Sequence, residues 1–214
     1  AEALLRWNSH RHGQVPPVTF VSLAEDTGLI VPIGSWAIHQ ACRQRKQWLD
    51  AGLDLPTIAV NLSPVQFMHQ DIVRLVAGAL QSTGLPPSRL ELEITEGALM
   101  QHIEQAEDTL RRLKQLGVRI AVDDFGTGYS SLAYLRRFPL DKLKIDRSFL
   151  ASVPDDPGEC QLVRMVVDLG RNLGLQVLAE GIEAPAQRRF LQMAGCQHGQ
   201  GYLFARPMPV DQFK

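Results

Sequence analysis

Seven short apolar runs, most of them separated by a helix-length stretch, limit what this chain can fold into more than any other feature. The runs are 2–7, 57–61, 90–94, 118–122, 142–145, 175–179 and 201–205. Several, such as Ile120-Ala121-Val122 and Val177-Leu178-Ala179, are continuously apolar, as parallel strands covered on both faces are. Between the runs, Leu99, Ile103, Ala106, Leu110 and Leu113 recur at steps of three and four, which predicts an amphipathic helix. Leu162, Val166, Leu169 and Leu173 predict another, and Gly117 and Gly174 stand where helix C-terminal glycines belong. Strands alternating with helices point to an α/β barrel or an open doubly wound sheet. The open sheet usually carries a Gly-rich phosphate loop after its first strand, and none occurs here, so the barrel is favoured.

The 214 residues, 45% of them hydrophobic, suit one barrel-sized domain over 1–214. A strand-like stretch begins directly after Ala1, so one strand or hairpin is expected upstream and the chain reads as part of a larger multidomain protein. The net charge of −1 gives no global field for a nucleic-acid polymer or an anionic membrane. Cys42, Cys160 and Cys196 form no paired framework, which suits a reducing cytoplasm. No apolar run approaches the roughly 18–20 residues of a membrane span. A cytoplasmic domain is expected, whatever anchors the full-length protein carries elsewhere.

The polar residues fall at the strand ends. The run at 57 ends in Asn61, the run at 90 in Glu93 and Glu96, and the run at 118 in Asp123-Asp124. Lys144 and Asp146 close the fifth run, Glu180 the sixth, and Gln200 opens the seventh. Parallel barrel strands end on one face, where these side chains converge. So many acids in a small space stay ionised only if cations offset their repulsion. Oxygen donors without paired His or Cys favour a hard ion, Mg²⁺ or Mn²⁺. Adjacent acids such as Asp123-Asp124 suit a two-metal centre, and Lys144 is placed to orient a water or offset phosphate charge.

These residues belong to a longer pattern. Glu2-Ala3-Leu4 with Leu5-Arg6-Trp7, Ala24-Glu25, Gly28-Leu29-Ile30 and Val60-Asn61-Leu62-Ser63 occur in order. Glu93-Ile94-Thr95-Glu96, the run from Asp123-Asp124-Phe125-Gly126 to Ser131, Lys144-Ile145-Asp146, Ala179-Glu180-Gly181-Ile182-Glu183 and Gln200-Gly201-Tyr202 follow. The set resembles the EAL-domain cyclic di-GMP phosphodiesterases and covers the whole chain. The resemblance implies a modified TIM (β/α) barrel that hydrolyses one phosphodiester of cyclic di-GMP to linear pGpG with two divalent cations. It implies Glu2, Asn61, Glu93 and Asp123 as ligands of one metal, and Asp123, Asp124 and Glu180 as ligands of the other. Lys144 and Gln200 match residues that position the hydrolytic water, and Glu180 matches a general base. Arg6, Leu4, Gly181, Glu183 and Gln200 fall at substrate-binding positions, Arg6 at a phosphate. Glu96, Phe125, Gly126, Thr127, Gly128 and Tyr129 match a loop that supports the metals and takes part in a homodimer. The family's Tyr-Gln-Pro segment does not occur in these residues, and Gln197 stands where the family often has Asp.

Two rival readings remain at this stage. A cyclic di-GMP receptor without turnover usually lacks metal ligands or the EAL glutamate, and this chain keeps them. A barrel glycosidase would use two carboxylates, nominally Glu93 and Glu180, but leaves Asp123, Asp124 and Lys144 without a role. Asp124-Phe125-Gly126 lacks the other kinase loops, and the six histidines show no ligand spacing.

Overall fold

The structure is a computed structural model that describes residues 1–126 and 132–213. In chain order its elements are β1 (Glu2–Ala3), β2 (Trp7–Ser9), β3 (Gly13–Val15), α1 (Pro17–Asp26), α2 (Ile30–Asp50) and β4 (Ile58–Leu62). There follow α3 (Pro64–His69), α4 (Ile72–Thr83), β5 (Leu90–Thr95), α5 (Glu96–Gln101), α6 (Ile103–Leu116) and β6 (Arg119–Phe125). The last are α7 (Leu132–Leu135), β7 (Lys142–Ile145), α8 (Pro157–Asn172), β8 (Gln176–Ala179), α9 (Pro185–Met193) and β9 (His198–Gly199). They fall into two compact units, one of residues 1–94 and 101–119, the other of 95–100 and 120–213.

In the first unit β1, β4 and β5 run parallel, with Glu2 opposite Ala59, and Asn61 opposite Glu93. Since side chains alternate along a strand, that register puts Glu2, Ala59, Asn61, Glu91 and Glu93 on one face. Helix α2 lies against β4 and α4 and buries Ile38, Ala41, Cys42 and Arg45. Each large apolar side chain so covered contributes about 1.5–3 kcal/mol. The Asp71 carboxylate starts α4 by accepting the Arg74 N–H at 3.1 Å, and Gly84 stops it in the left-handed region. The hairpin β2–β3 is joined to α1 through an edge-on contact of Trp7 with Phe20, their ring centres 6.2 Å apart. Among the described residues no helix is long and apolar enough to cross a membrane.

In the second unit β6, β7, β8 and β9 are parallel, Val122 opposite Leu143, Lys144 opposite Leu178, and Leu178 opposite His198. One face therefore carries Asp123, Lys144, Leu178, Glu180 and Gln200. The Asp156 carboxylate caps α8, accepting N–H bonds from Gly158 and Glu159 at 2.7 and 3.1 Å.

The structure departs from the sequence reading at four places. The first run is broken, only Glu2–Ala3 pairing in the sheet while Trp7–Ser9 turns into the hairpin. His102 interrupts the helix expected through Leu99 and Leu113, an interruption that apolar spacing cannot reveal. The buried face of α8 is Cys160, Val163, Val167 and Gly170, one step round from the predicted stripe, and Leu162 is exposed. Small residues win that face because the helix lies close to β8: a Cβ on Gly170 would come within 2.3 Å of Val177 Cγ2. Last, 201–205 is not a strand; the final strand is His198–Gly199, and Gln200 follows it.

The three cysteines are free and buried. Burial pushes the Cys42 thiol up to about 12, so it stays protonated at pH 8. Iodoacetamide is expected to leave Cys42 unmodified in the native protein, with labelling following the urea unfolding curve. Fast modification of native Cys42, located by peptide mapping, would contradict that packing.

Candidate active site

In the first unit Asn61 and Glu93 end adjacent strands, Glu93 buried and Asn61 open to solvent. The Asn61 side-chain amide donates to Glu2 Oε1 at 2.7 Å, linking β4 to the half-buried glutamate of β1. The residue after this strand is also tied down: Ser63 caps α3 and donates its hydroxyl to Glu25 Oε1 at 2.7 Å. Leu4 and Arg6 lie on the exposed chain between β1 and β2, and the Arg6 guanidinium donates to its neighbour's carbonyl, Leu5 O, at 2.7 Å.

In the second unit a lysine is held between two acids. Lys144 is 1% exposed, and its Nζ lies 3.0 Å from Asp123 Oδ2 and 2.7 Å from Glu180 Oε1. Gln200 Nε2 donates to the same Glu180 oxygen at 2.7 Å. Gln200 reaches it because its backbone N–H donates to Ala179 O, while its carbonyl accepts from Ile182. Lys144 in this setting has the desolvation cost of a buried cation offset by two carboxylates.

Asp124 shows how consecutive acids are presented at one strand end. Its φ is 52°, and the β6–β7 register shifts between Val122 and Phe125. This bulge breaks the alternation that would send adjacent side chains to opposite faces. Aspartate tolerates the left-handed region better than most residues. Burial raises the Asp124 pKa, and the neighbouring charges of Asp123 and then Asp146 raise it further, against Lys144 and Arg147. Asp146, which the sequence placed at a strand end without a role, is itself held low. Burial works against its ionisation, but hydrogen bonds from the Ser148 hydroxyl and backbone, with Arg147, outweigh it.

The turn after β6 is fixed from α5. Glu96 is buried, and its Oε2 accepts the Gly126 N–H at 2.8 Å. Gly126 has φ 93°, which favours glycine, and a Cβ there would also displace the Phe149 ring, whose Cζ lies 2.7 Å from that position. Phe125 beside it is buried. Thr127, Gly128 and Tyr129 lie outside the described residues. Gly181 has φ 67°, with a Cβ position 2.4 Å from Arg147 Cβ. Gly181→Ala is expected to cost about 1–3 kcal/mol, read as a lower urea midpoint at unchanged slope. A midpoint equal to wild type would remove the strain argument. Glu183 is exposed, its backbone N–H donating to Gln187 Oε1 at 2.8 Å.

Among the described residues no three His, Cys, Asp or Glu side chains are gathered so as to hold a metal ion in this arrangement. In this arrangement the Lys144 ammonium and the Asn61 and Gln200 amides contact carboxylate oxygens of Asp123, Glu180 and Glu2. The donor chemistry nevertheless fits a hard divalent cation. The candidates are all oxygen donors, and the raised Asp124 marks negative charge that a cation would relieve.

Parallel strands that finish in oxygen donors and mostly alternate with helices define an α/β protein of the barrel class. The EAL domain model matches residues 1–207, and the chain belongs to the EAL-domain family. It is 48% identical over 211 residues to the bifunctional diguanylate cyclase/cyclic di-GMP phosphodiesterase MucR of Pseudomonas aeruginosa, covering 99% of this chain and 31% of MucR. It is 41% identical over 213 residues to the cyclic di-GMP phosphodiesterase PdeR of Escherichia coli, covering 100% of this chain and 32% of PdeR. The chain thus spans about a third of the length of these relatives. A solved structure described as PaMucR phosphodiesterase in complex with c-di-GMP matches with TM-score 0.96 at 48% identity, over 100% of this chain and 86% of that one. The fold is the modified TIM barrel of that family.

Proposed function

We propose that this chain hydrolyses one phosphodiester bond of cyclic di-GMP to linear pGpG in a metal-dependent reaction. The observation that carries the reading is the Asp123–Lys144–Glu180 arrangement, with Asp124 turned out by a strand bulge beside it. A buried cation shared by two strand-end acids is a costly construction for a core. It is accounted for where charge is to be handled at a phosphate. The relatives named as cyclic di-GMP phosphodiesterases, and the complex of one of them with c-di-GMP, support the same substrate.

Glu2, Asn61, Glu93, Asp123, Asp124 and Glu180 are the residues proposed to hold two divalent cations, Mg²⁺ or Mn²⁺. When bound, such ions acidify a water and stabilise the departing 3′ oxygen. The chain's own groups do the rest. Lys144 pairs with Asp123 and Glu180 and offers a positive charge to the phosphate, Gln200 fixes the direction of the Glu180 carboxylate, and Glu180 receives the proton of the attacking water. Arg6, Leu4, Gly181, Glu183 and Gln200 are proposed substrate contacts, Arg6 to a phosphate. Glu96 with the 125–129 segment is proposed to support the site and to join two copies of the domain. We place this single domain, residues 1–214, in the cytoplasm as part of a longer protein.

The test is chromatographic separation of products from cyclic di-GMP with Mg²⁺, with Mn²⁺, and with chelator. pGpG appearing only with a divalent ion is the expected result. Tight cyclic di-GMP binding without product in either metal would replace the enzyme with a receptor.

A further inference from the structure

Within the first unit, away from the residues of the candidate active site, lies a pocket of about 330 Å³ lined by Asp54, Pro56, Ser88, Arg89 and Arg119. Arg89 directly precedes β5 and Arg119 opens β6, so the pocket is at the strand beginnings. Glu93 stands four residues further along β5 than Arg89, roughly 13 Å away at the rise of an extended strand. The geometry points to a binding site for a small phosphate-class oxyanion, held by the Arg89 and Arg119 guanidinium groups and the Ser88 hydroxyl.

Three features carry this. First, the local charge is unbalanced. Asp54 is the acid of the pocket, and it already faces two arginines, Arg89 Nη2 at 3.0 Å and Arg45 Nη2 at 3.8 Å. Second, Arg119 is half-buried and makes no ion pair or side-chain hydrogen bond among the described residues, so its planar donors are left for a ligand. Third, Arg45 lies behind the pocket, fully buried, donating Nη2 to Leu55 O while its Nε and Nη1 find no partner among the described residues. A buried guanidinium with unmade bonds keeps the field at this spot positive, and an anion in front of it lowers that cost.

Arg89 is pre-set for the task. Its Nη1 donates to Leu55 O at 3.0 Å and to Pro56 O at 3.2 Å, so the side chain is immobilised before any ligand arrives. The exposed Ser88 hydroxyl sits in the 3-10 turn Pro87–Arg89, next to it in sequence. The Asp54 carboxylate would repel an anion, but two guanidinium groups already share its charge. Phosphate, with several acceptor oxygens, suits a forked arginine pair better than a halide does.

The experiment titrates inorganic phosphate into the ¹⁵N-labelled chain with chelator and no divalent ion. It follows the arginine Nε–Hε signals of Arg89, Arg119 and Arg45, with chloride at matched ionic strength as control. Saturable shifts at these signals, a rise in Tm with phosphate, and at least tenfold weaker binding in Arg119→Ala are expected. Ser88→Ala, an exposed change that leaves the core intact, is expected to weaken binding about threefold. It serves if Arg119→Ala folds poorly. Shifts that never saturate, that chloride reproduces, or that both variants leave unchanged would overturn the site. A nucleoside 5′-monophosphate run alongside separates the sources: equal affinity assigns free phosphate, and tighter binding assigns a phosphate ester. The assay is free of metal and cyclic di-GMP, so its outcome is independent of the phosphodiesterase reading.

Discussion

Lys144→Ala is expected to lower kcat for cyclic di-GMP hydrolysis by about a hundred- to a thousandfold, the scale of losing one preorganised electrostatic group. It leaves Asp123 and Glu180, both now in contact with Nζ, facing each other with no ammonium between them. Removing one partner of a buried pair costs about 3–5 kcal/mol, so the metal-free variant should also melt earlier. Because the two acids then repel, added Mn²⁺ should restore most of the lost Tm. Its affinity, measured calorimetrically, should be equal to or tighter than wild type. Rate and stability therefore move in ways that can be separated. Unchanged kcat with saturating metal would take Lys144 out of the reaction, and a variant that Mn²⁺ does not stabilise would remove the shared-charge account.

Glu2→Ala is the second large effect expected. The glutamate sits on the two-residue strand β1, half-buried, and its Oε1 receives the Asn61 amide at 2.7 Å. Backbone pairing of Ala1 and β1 with β4 does not involve the side chain: Ala59 N–H donates to Ala1 O at 2.8 Å. Turnover should fall by at least about a thousandfold as a proposed metal oxygen is lost. Tm should stay within about 2 °C of wild type, since little apolar surface is uncovered. A variant that unfolds, or that keeps a tenth of the activity, would contradict a metal-serving role. Glu2→Gln sharpens the test, because it keeps the bond to Asn61 through its carbonyl oxygen and removes only the charge.

The sequence made the strands and the acids readable for definite reasons. Ile58-Ala59-Val60 and Ile120-Ala121-Val122 are buried and apolar on both faces, while Leu90, Leu92 and Ile94 alternate with Glu91 and Glu93, so that strand is apolar on one face only. Glu93, Asp123, Lys144 and Glu180 were visible because each interrupts or ends such a run. Other features leave weaker traces. Tyr202-Leu203-Phe204 is as apolar as a strand, yet Gly201 lies so close to the Ile182 backbone that the chain turns away. The real last strand, His198–Gly199, is two polar or small residues long and carries no periodicity. The Asp124 bulge is a backbone event, signalled only by two acids in succession. Arg45 on α2 is fully buried, a position that composition cannot foretell.

The close seat of α8 on β8 reaches beyond packing. Gly170 lets the helix approach until Val177 stands where a larger residue's Cβ would be, and three residues after Val177 comes Glu180. The depth at which that carboxylate meets Lys144 is therefore set partly by a glycine on the far side of the strand, which touches no charged group of the site. A methyl added there would push the strand as a wedge pushes a lever, and its mark would be a lower rate.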